Sequence, residues 1–202
     1  MARFNGPRNK IARRLGQDLG LKVNPKSLER RINTLPGQHG RKGKGKTSDY
    51  GMQLAEKQKA KHTYGVLERQ FRQYYKVASR TREATGAALL SLLERRLDNV
   101  VYRLALAPTR RAARQLVSHG NVQVDGSKVS VPSYRVRVDE VVTISKSAID
   151  IPYIKVLLEN KDFQAPEWLE KKGVAGRVKR LPERQDITEN INEQLIVEYY
   201  SR

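Results

Sequence analysis

The stretch Pro108–Val131, PTRRAARQLVSHGNVQVDGSKVSV, changes its hydrophobic period halfway along. Up to His119 the period is helical. Ala112, Ala113, Leu116 and Val117 fall on one side of a helical wheel, and Arg110, Arg111, Arg114, Gln115 and Ser118 on the other. Gly120 can end such a helix in a left-handed conformation. The period then drops to two: Val122 and Val124 alternate, Asp125-Gly126 signals a hairpin turn, and Val129 and Val131 return. Tyr134, Val136 and Val138 continue the alternation, as do Val142 and Ile144. The stretch predicts a helix feeding a small, mainly antiparallel sheet, hence an α+β fold. No Asp or Glu occurs between Asp98 and Asp125. The arginine face is therefore expected to point to solvent, where guanidinium groups at helical spacing suit backbone phosphates.

Upstream, Thr85–Ala107 (TGAALLSLLERRLDNVVYRLALA) reads as one long helix whose leucines form core, interrupted at Pro108. Ser48 or Asp49 can cap a helix running towards His62, and Gly65 breaks it. A further helix places Leu67, Phe71, Tyr74 and Ala78 on one stripe, with Glu68, Arg69, Arg72 and Lys76 off it. Residues 1–46 read differently. Apolar residues are sparse, Gly and Pro recur, and only Ile11–Leu21 suggests a short basic helix. Such an arm cannot bury enough apolar surface to order alone and is expected to order on a partner. The organisation expected is a basic arm (1–46), a helical domain (47–91 with 181–202) and a helix–sheet domain (92–180).

The charge indicates the kind of partner. There are 40 Lys+Arg against 21 Asp+Glu, a net of +19. Residues 1–62 carry a net +12, residues 63–115 another +7, and residues 116–202 nothing. A solvated surface mixes signs, so this asymmetry points to a polyanion, and to nucleic acid over membrane because no basic segment carries a broad apolar face. The last segment, Leu181–Arg202, is acidic at −3 and apolar in part. It either packs on the helices of residues 48–91 or faces another protein; packing is the simpler reading. With 0 Cys there is no disulfide or thiolate metal site, and His39, His62 and His119 lie too far apart for a ligand motif. The N-terminus lacks the apolar core of a secretory signal, so a cytoplasmic home is expected.

MARFNGPRNKIARRLG, PGQHGRKGKGKTSDYGMQLAEKQK, YGVLERQFRQYY, LERRLDNVVYRLALAPTRRAARQLVSHGNVQVDG and INEQLIVEYYSR together resemble bacterial-type ribosomal protein S-four over nearly the whole chain, more weakly at 145–178. The unit from about Leu92 resembles that family's RNA-binding domain. The resemblance implies a structural constituent of the small ribosomal subunit. It would bind the 5′ domain of 16S ribosomal RNA early in assembly and meet ribosomal protein S-five at its C-terminal region, influencing decoding accuracy. Messenger RNA near its path into the ribosome would be a further neighbour, and a membrane would not. Carried onto this chain, the expected RNA contacts are Arg3, Lys10, Arg13, Arg14, Arg41, Lys42, Lys44, Lys46, Lys57, Arg69, Arg72, Arg110, Arg111 and Arg114. The expected protein-facing residues are Leu181, Arg184, Glu198, Tyr199 and Tyr200. Many relatives hold zinc through cysteines near the N-terminus. This cysteine-free chain resembles the metal-free variety, so no metal or other cofactor is expected.

Two motifs point elsewhere. Gly40–Thr47, GRKGKGKT, fits the phosphate-binding loop pattern G-x-x-x-x-G-K-[ST]. A working loop of that kind follows a buried strand, whereas NTLPGQH precedes this one. Arg96-Leu97-Asp98 matches a triplet at the active site of pseudouridine synthases, but the large catalytic domain that follows in those enzymes has no room here. An RNA-acting enzyme or nucleotide hydrolase is the alternative reading; no catalytic residue is expected.

Overall fold

The structure, a computed structural model, describes residues 4–43, 45–159 and 165–202, with only the backbone of Arg41. In chain order the described helices begin with α1 (Arg8–Leu15), α2 (Lys26–Glu29), α3 (Asp49–Thr63) and α4 (Glu68–Ala78). Next come α5 (Thr85–Glu94), α6 (Leu97–Arg103) and α7 (Arg110–Ser118), then strands β1 (Val122–Val124), β2 (Ser127–Lys128) and β3 (Val141–Ile144). The chain closes with α8 (Lys146–Ile149), α9 (Pro152–Glu159), β4 (Leu169–Lys172), β5 (Ala175–Val178) and α10 (Glu193–Tyr200). Two compact units result: residues 1–86 with 190–202, and residues 87–189. No helix among the described residues is long and apolar enough to cross a membrane.

In the first unit, Ser48 caps α3 by accepting a hydrogen bond from the Gly51 N–H at 3.3 Å. α4 buries Phe71, Tyr74 and Ala78, the stripe its sequence predicts. The acidic C-terminal segment folds onto these helices through α10. Gln53 donates to the Glu198 carboxylate at 3.0 Å, the Tyr200 hydroxyl donates to Glu68 at 2.7 Å, and the Tyr200 ring stacks on Tyr75 at 4.6 Å. The segment before residue 47 contains α1, α2 and a 3₁₀ turn at Gly40–Lys42. Arg13 ties α1 to the following turns, donating to the Thr34 and Leu35 carbonyls at 2.8 and 3.0 Å.

The second unit is an antiparallel sheet, ordered β2-β1-β3-β5-β4, with a core that α6 and α7 share. Asp125 (φ 48°) and Gly126 (φ 78°) both have positive φ, as a two-residue type I′ hairpin turn requires, and Val124 pairs with Ser127 across it. Gly120 ends α7 with φ 72°. Val122, Val142, Ile144 and Trp168 are buried against Leu97, Val101, Leu104, Leu116 and Val117.

Two expectations are corrected. Thr85–Ala107 is not one helix: it breaks between Glu94 and Leu97, where Arg96 is extended (φ −65°, ψ 136°). The break is stabilised from outside, since the Leu97 and Asp98 N–H groups donate to the Tyr134 and Pro132 carbonyls, and the Val136 N–H donates to Arg95. Correspondingly, Tyr134–Val138 forms no strand of the sheet; its pairing goes to residues 95–98, with an isolated bridge between Arg96 and Arg135.

Candidate nucleic-acid interface

The first unit presents its cations openly on α4. Arg69, Arg72 and Lys76 are exposed at helical spacing opposite the buried stripe, and Arg80 and Arg82 extend the exposed series beyond the helix end. The acid that begins the helix, Glu68, is half-buried and fully engaged. It accepts hydrogen bonds from Lys57 at 3.0 Å, from Lys61 at 3.2 Å and from Tyr200. Burial alone would raise the Glu68 carboxyl, but these bonds hold it below its ordinary value. The outer face of α4 is left with positive charge. Lys76, Arg80 and Arg82 were not among the residues expected to touch RNA, although their places on the α4 face and just past its end were readable from helical spacing.

Elsewhere in this unit the expected residues separate. Lys10, Arg14, Lys42 and Lys46 are exposed. Arg13 is committed to the carbonyls of residues 34 and 35. Lys57 is buried: its ammonium pairs with Glu68 and lies 4.5 Å from the Tyr199 ring centre, so it is an internal group and does not face a partner. Arg3, Lys44 and the Arg41 side chain lie outside the described residues. In GRKGKGKT, Gly40–Lys42 form the 3₁₀ turn, and no strand precedes it among the described residues.

The second unit treats its arginines differently. Arg110 donates to the Asn99 side chain at 2.8 Å, pairs with Glu189, and stacks over the Tyr102 ring at 4.5 Å. Arg114 pairs with Asp98 at 2.7 Å, and Asp98 also holds Arg96 at 2.8 Å. Arg103 completes the network, bound to Glu94 at 2.7 Å and to Glu189. Burial alone would raise the Glu189 carboxyl, but Arg110 and Arg103 hold it below its ordinary value. The side chains of Arg110 and Arg114 are only 11% and 15% exposed, which corrects the expectation of a solvent-directed face. The acids that pair with them are remote in sequence. Arg111 alone of the three is exposed. Asp98 is a buried acceptor at the start of α6.

The expected protein-facing residues also divide. Leu181 is exposed and Arg184 half-buried in the second unit. Glu198, Tyr199 and Tyr200 belong to the first unit and are engaged with α3 and α4. Burial and the Glu68 bond push the Tyr200 hydroxyl far above the usual tyrosine range.

One unit that packs an antiparallel sheet on arginine-bearing helices, and another, helical unit with one cationic face, define a class of basic α+β proteins suited to phosphate-rich partners. Residues 3–94 match the family described as Ribosomal protein S4/S9 N-terminal domain, and residues 95–142 match the S4 domain. Over the full length of both chains, this chain is 51% identical to the small ribosomal subunit protein uS4 of Parabacteroides distasonis. It is 50% identical to that of Hahella chejuensis and 51% identical to that of Cutibacterium acnes, again over the whole of each. The chain belongs to the ribosomal protein S4 family.

Proposed function

We propose that this chain is a structural constituent of the small ribosomal subunit. It binds the 5′ domain of 16S ribosomal RNA as a primary binder, nucleates assembly of the subunit body, and works in the cytoplasm on the ribosome. The observation that carries this reading is full-length likeness at about half identity to proteins named as small-subunit constituents. The exposed cations of α4 add the physical means. Lysine and arginine displace counterions from phosphates and supply affinity, while the folded RNA's shape and 2′-hydroxyls supply selectivity. The role is one of binding and not of catalysis.

The RNA contacts we propose are Lys10, Arg14, Lys42, Lys46, Arg69 and Arg72, with Lys76, Arg80 and Arg82, on the first unit, and Arg111 on the second. In the second unit, Leu181 and Arg184 offer a surface for ribosomal protein S-five, through which the chain influences decoding accuracy. Messenger RNA near its path into the ribosome is a further neighbour.

A salt titration against a 5′-domain fragment and an unrelated structured RNA of equal length tests the reading. One-to-one binding should persist on the ribosomal fragment at salt that strips the control, with no phosphate released from added ATP. Equal loss from both RNAs would reduce the protein to a generic basic binder, and RNA-stimulated phosphate release abolished by Lys46→Ala would establish a nucleotide hydrolase.

A further inference from the structure

Between α1 and α3, within the first unit, lies an open cleft of about 570 Å³. Ile11 and Leu15 form one wall, and Leu54 and Ala55 the other. At one end Phe4 and His62 meet edge to face, ring centres 5.0 Å apart. Burial and the neighbouring Lys61 push the His62 pKa down to about 4, so both rings are uncharged at neutral pH. Lys10 and Arg14 stand on the α1 side, exposed and without an ion-pair partner among the described residues. Among the described residues, none that lines the cleft is acidic. The nearby Glu56 on α3 is engaged, with Lys59 at 3.2 Å and the Asn192 N–H at 3.3 Å.

These features call for an occupant that is flat and apolar at one end and anionic at the other. A purely apolar ligand would leave Lys10 and Arg14 without a counterpart, and a bare phosphate would leave the apolar walls unfilled. Protein surfaces that bind unpaired RNA stack splayed bases on aromatic side chains and hold the backbone with cations. We propose that this cleft receives one unpaired nucleotide of the bound RNA. Its base enters between α1 and α3 beside Phe4, the Gln58 amide meets the base's hydrogen-bonding edge, and the flanking phosphates rest on Lys10 and Arg14. The proposal rests on the RNA-binding reading above and adds a site of base insertion to a surface otherwise described by charge alone. It also gives the two adjacent arginines of α1 distinct work: Arg13 holds the fold together, and Arg14 faces the ligand.

The test compares wild-type protein with Ala55→Phe, which fills the cleft, and Phe4→Ala, which removes an exposed ring. Each is bound to the 5′-domain fragment, and its affinity is measured together with chemical reactivity at every base edge of the RNA. Wild-type protein should protect an unpaired base that both variants leave reactive. Ala55→Phe should weaken binding about tenfold while the rest of the footprint persists. If circular dichroism shows Ala55→Phe unfolded, Phe4→Ala decides the matter, since Phe4 is 41% exposed and its truncation should leave the fold intact. Unchanged affinity and an unchanged footprint in the folded variants would overturn the cleft proposal and leave the RNA reading standing. Saturable binding of AMP that Ala55→Phe abolishes, with the RNA footprint unaltered, would overturn it in favour of a free nucleotide. Wild-type protein that fails to prefer the ribosomal fragment over the control RNA would overturn the RNA reading itself.

Discussion

α4 and α7 are both short amphipathic helices with arginines on the polar side, and they put those arginines to different uses. On α4 the guanidinium groups are exposed, and the helix's own acid is paired with Lys57, Lys61 and Tyr200. On α7, Arg110 and Arg114 are taken inward by Glu189 and Asp98, leaving Arg111 outside. An arginine-rich face is therefore not by itself a binding face. Its meaning depends on whether a carboxylate from another part of the chain reaches it first. A carboxylate and a phosphate compete for the same planar fork of N–H donors, and the nearer one, already desolvated, holds it.

The largest effect should come from emptying the α7 side of this comparison. Asp98→Ala leaves Arg96, whose side chain is 0% exposed, and Arg114 without their carboxylate. Urea unfolding should show a loss of about 3–5 kcal/mol, because two largely buried cations lose the carboxylate they share. A loss below about 1 kcal/mol would mean that water screens the network and that α7 differs little from α4.

Replacing Arg69, Arg72 and Lys76 together with Ala should do the reverse. Stability should change by no more than about 0.5 kcal/mol per site, while the slope of log affinity against log salt for ribosomal RNA falls by about 2–3. An unchanged slope would leave the α4 face without a role in binding.

Acid should separate the two units. His62 has its folded pKa depressed to about 4, below the ordinary histidine value of 6.5. Its contribution is present above pH 6.5 and is lost as pH falls towards 4, because the unfolded chain takes up the proton first. Glu189 is also depressed, but from the carboxylate value of 4.5, so the second unit should hold until pH falls below 4.5. Hydrogen exchange followed from pH 7 to pH 3 should show the first unit loosening earlier, and His62→Gln should remove the step above 4.5. Simultaneous loss in both units would contradict the assignment.

Arg111→Ala gives the smallest change. Its stability effect should stay within about 0.5 kcal/mol, with RNA affinity reduced by one phosphate contact, and urea unfolding with a salt titration checks both.

Much of this molecule was legible locally. The buried stripe of α4, the Ser48 cap, the left-handed Gly120 and the Asp125-Gly126 turn each follow from a few consecutive residues, and the structure contains all of them. The break inside Thr85–Ala107 was not legible. LERRLDN is an acceptable helix sequence, and the chain leaves that conformation because residues 132–136 offer its backbone other partners. Lys57 and Arg13 looked like their exposed neighbours for a similar reason: a basic side chain carries no local mark of whether it will be buried.

The sequence by itself determined the α+β class, the hairpin, the helix stripes, the concentration of positive charge in the first 115 residues and the family. The family rests on likeness along the whole chain; the other properties rest on periodicity, backbone propensity and composition, which act over a few residues or over the whole chain. Only the tertiary structure decided which cations remain on the surface. Arg114 and Asp98 lie 16 residues apart, Arg110 and Glu189 79 apart, and Arg103 and Glu189 86 apart. Coulombic attraction selects such partners only after folding has brought them within reach and removed the water between them.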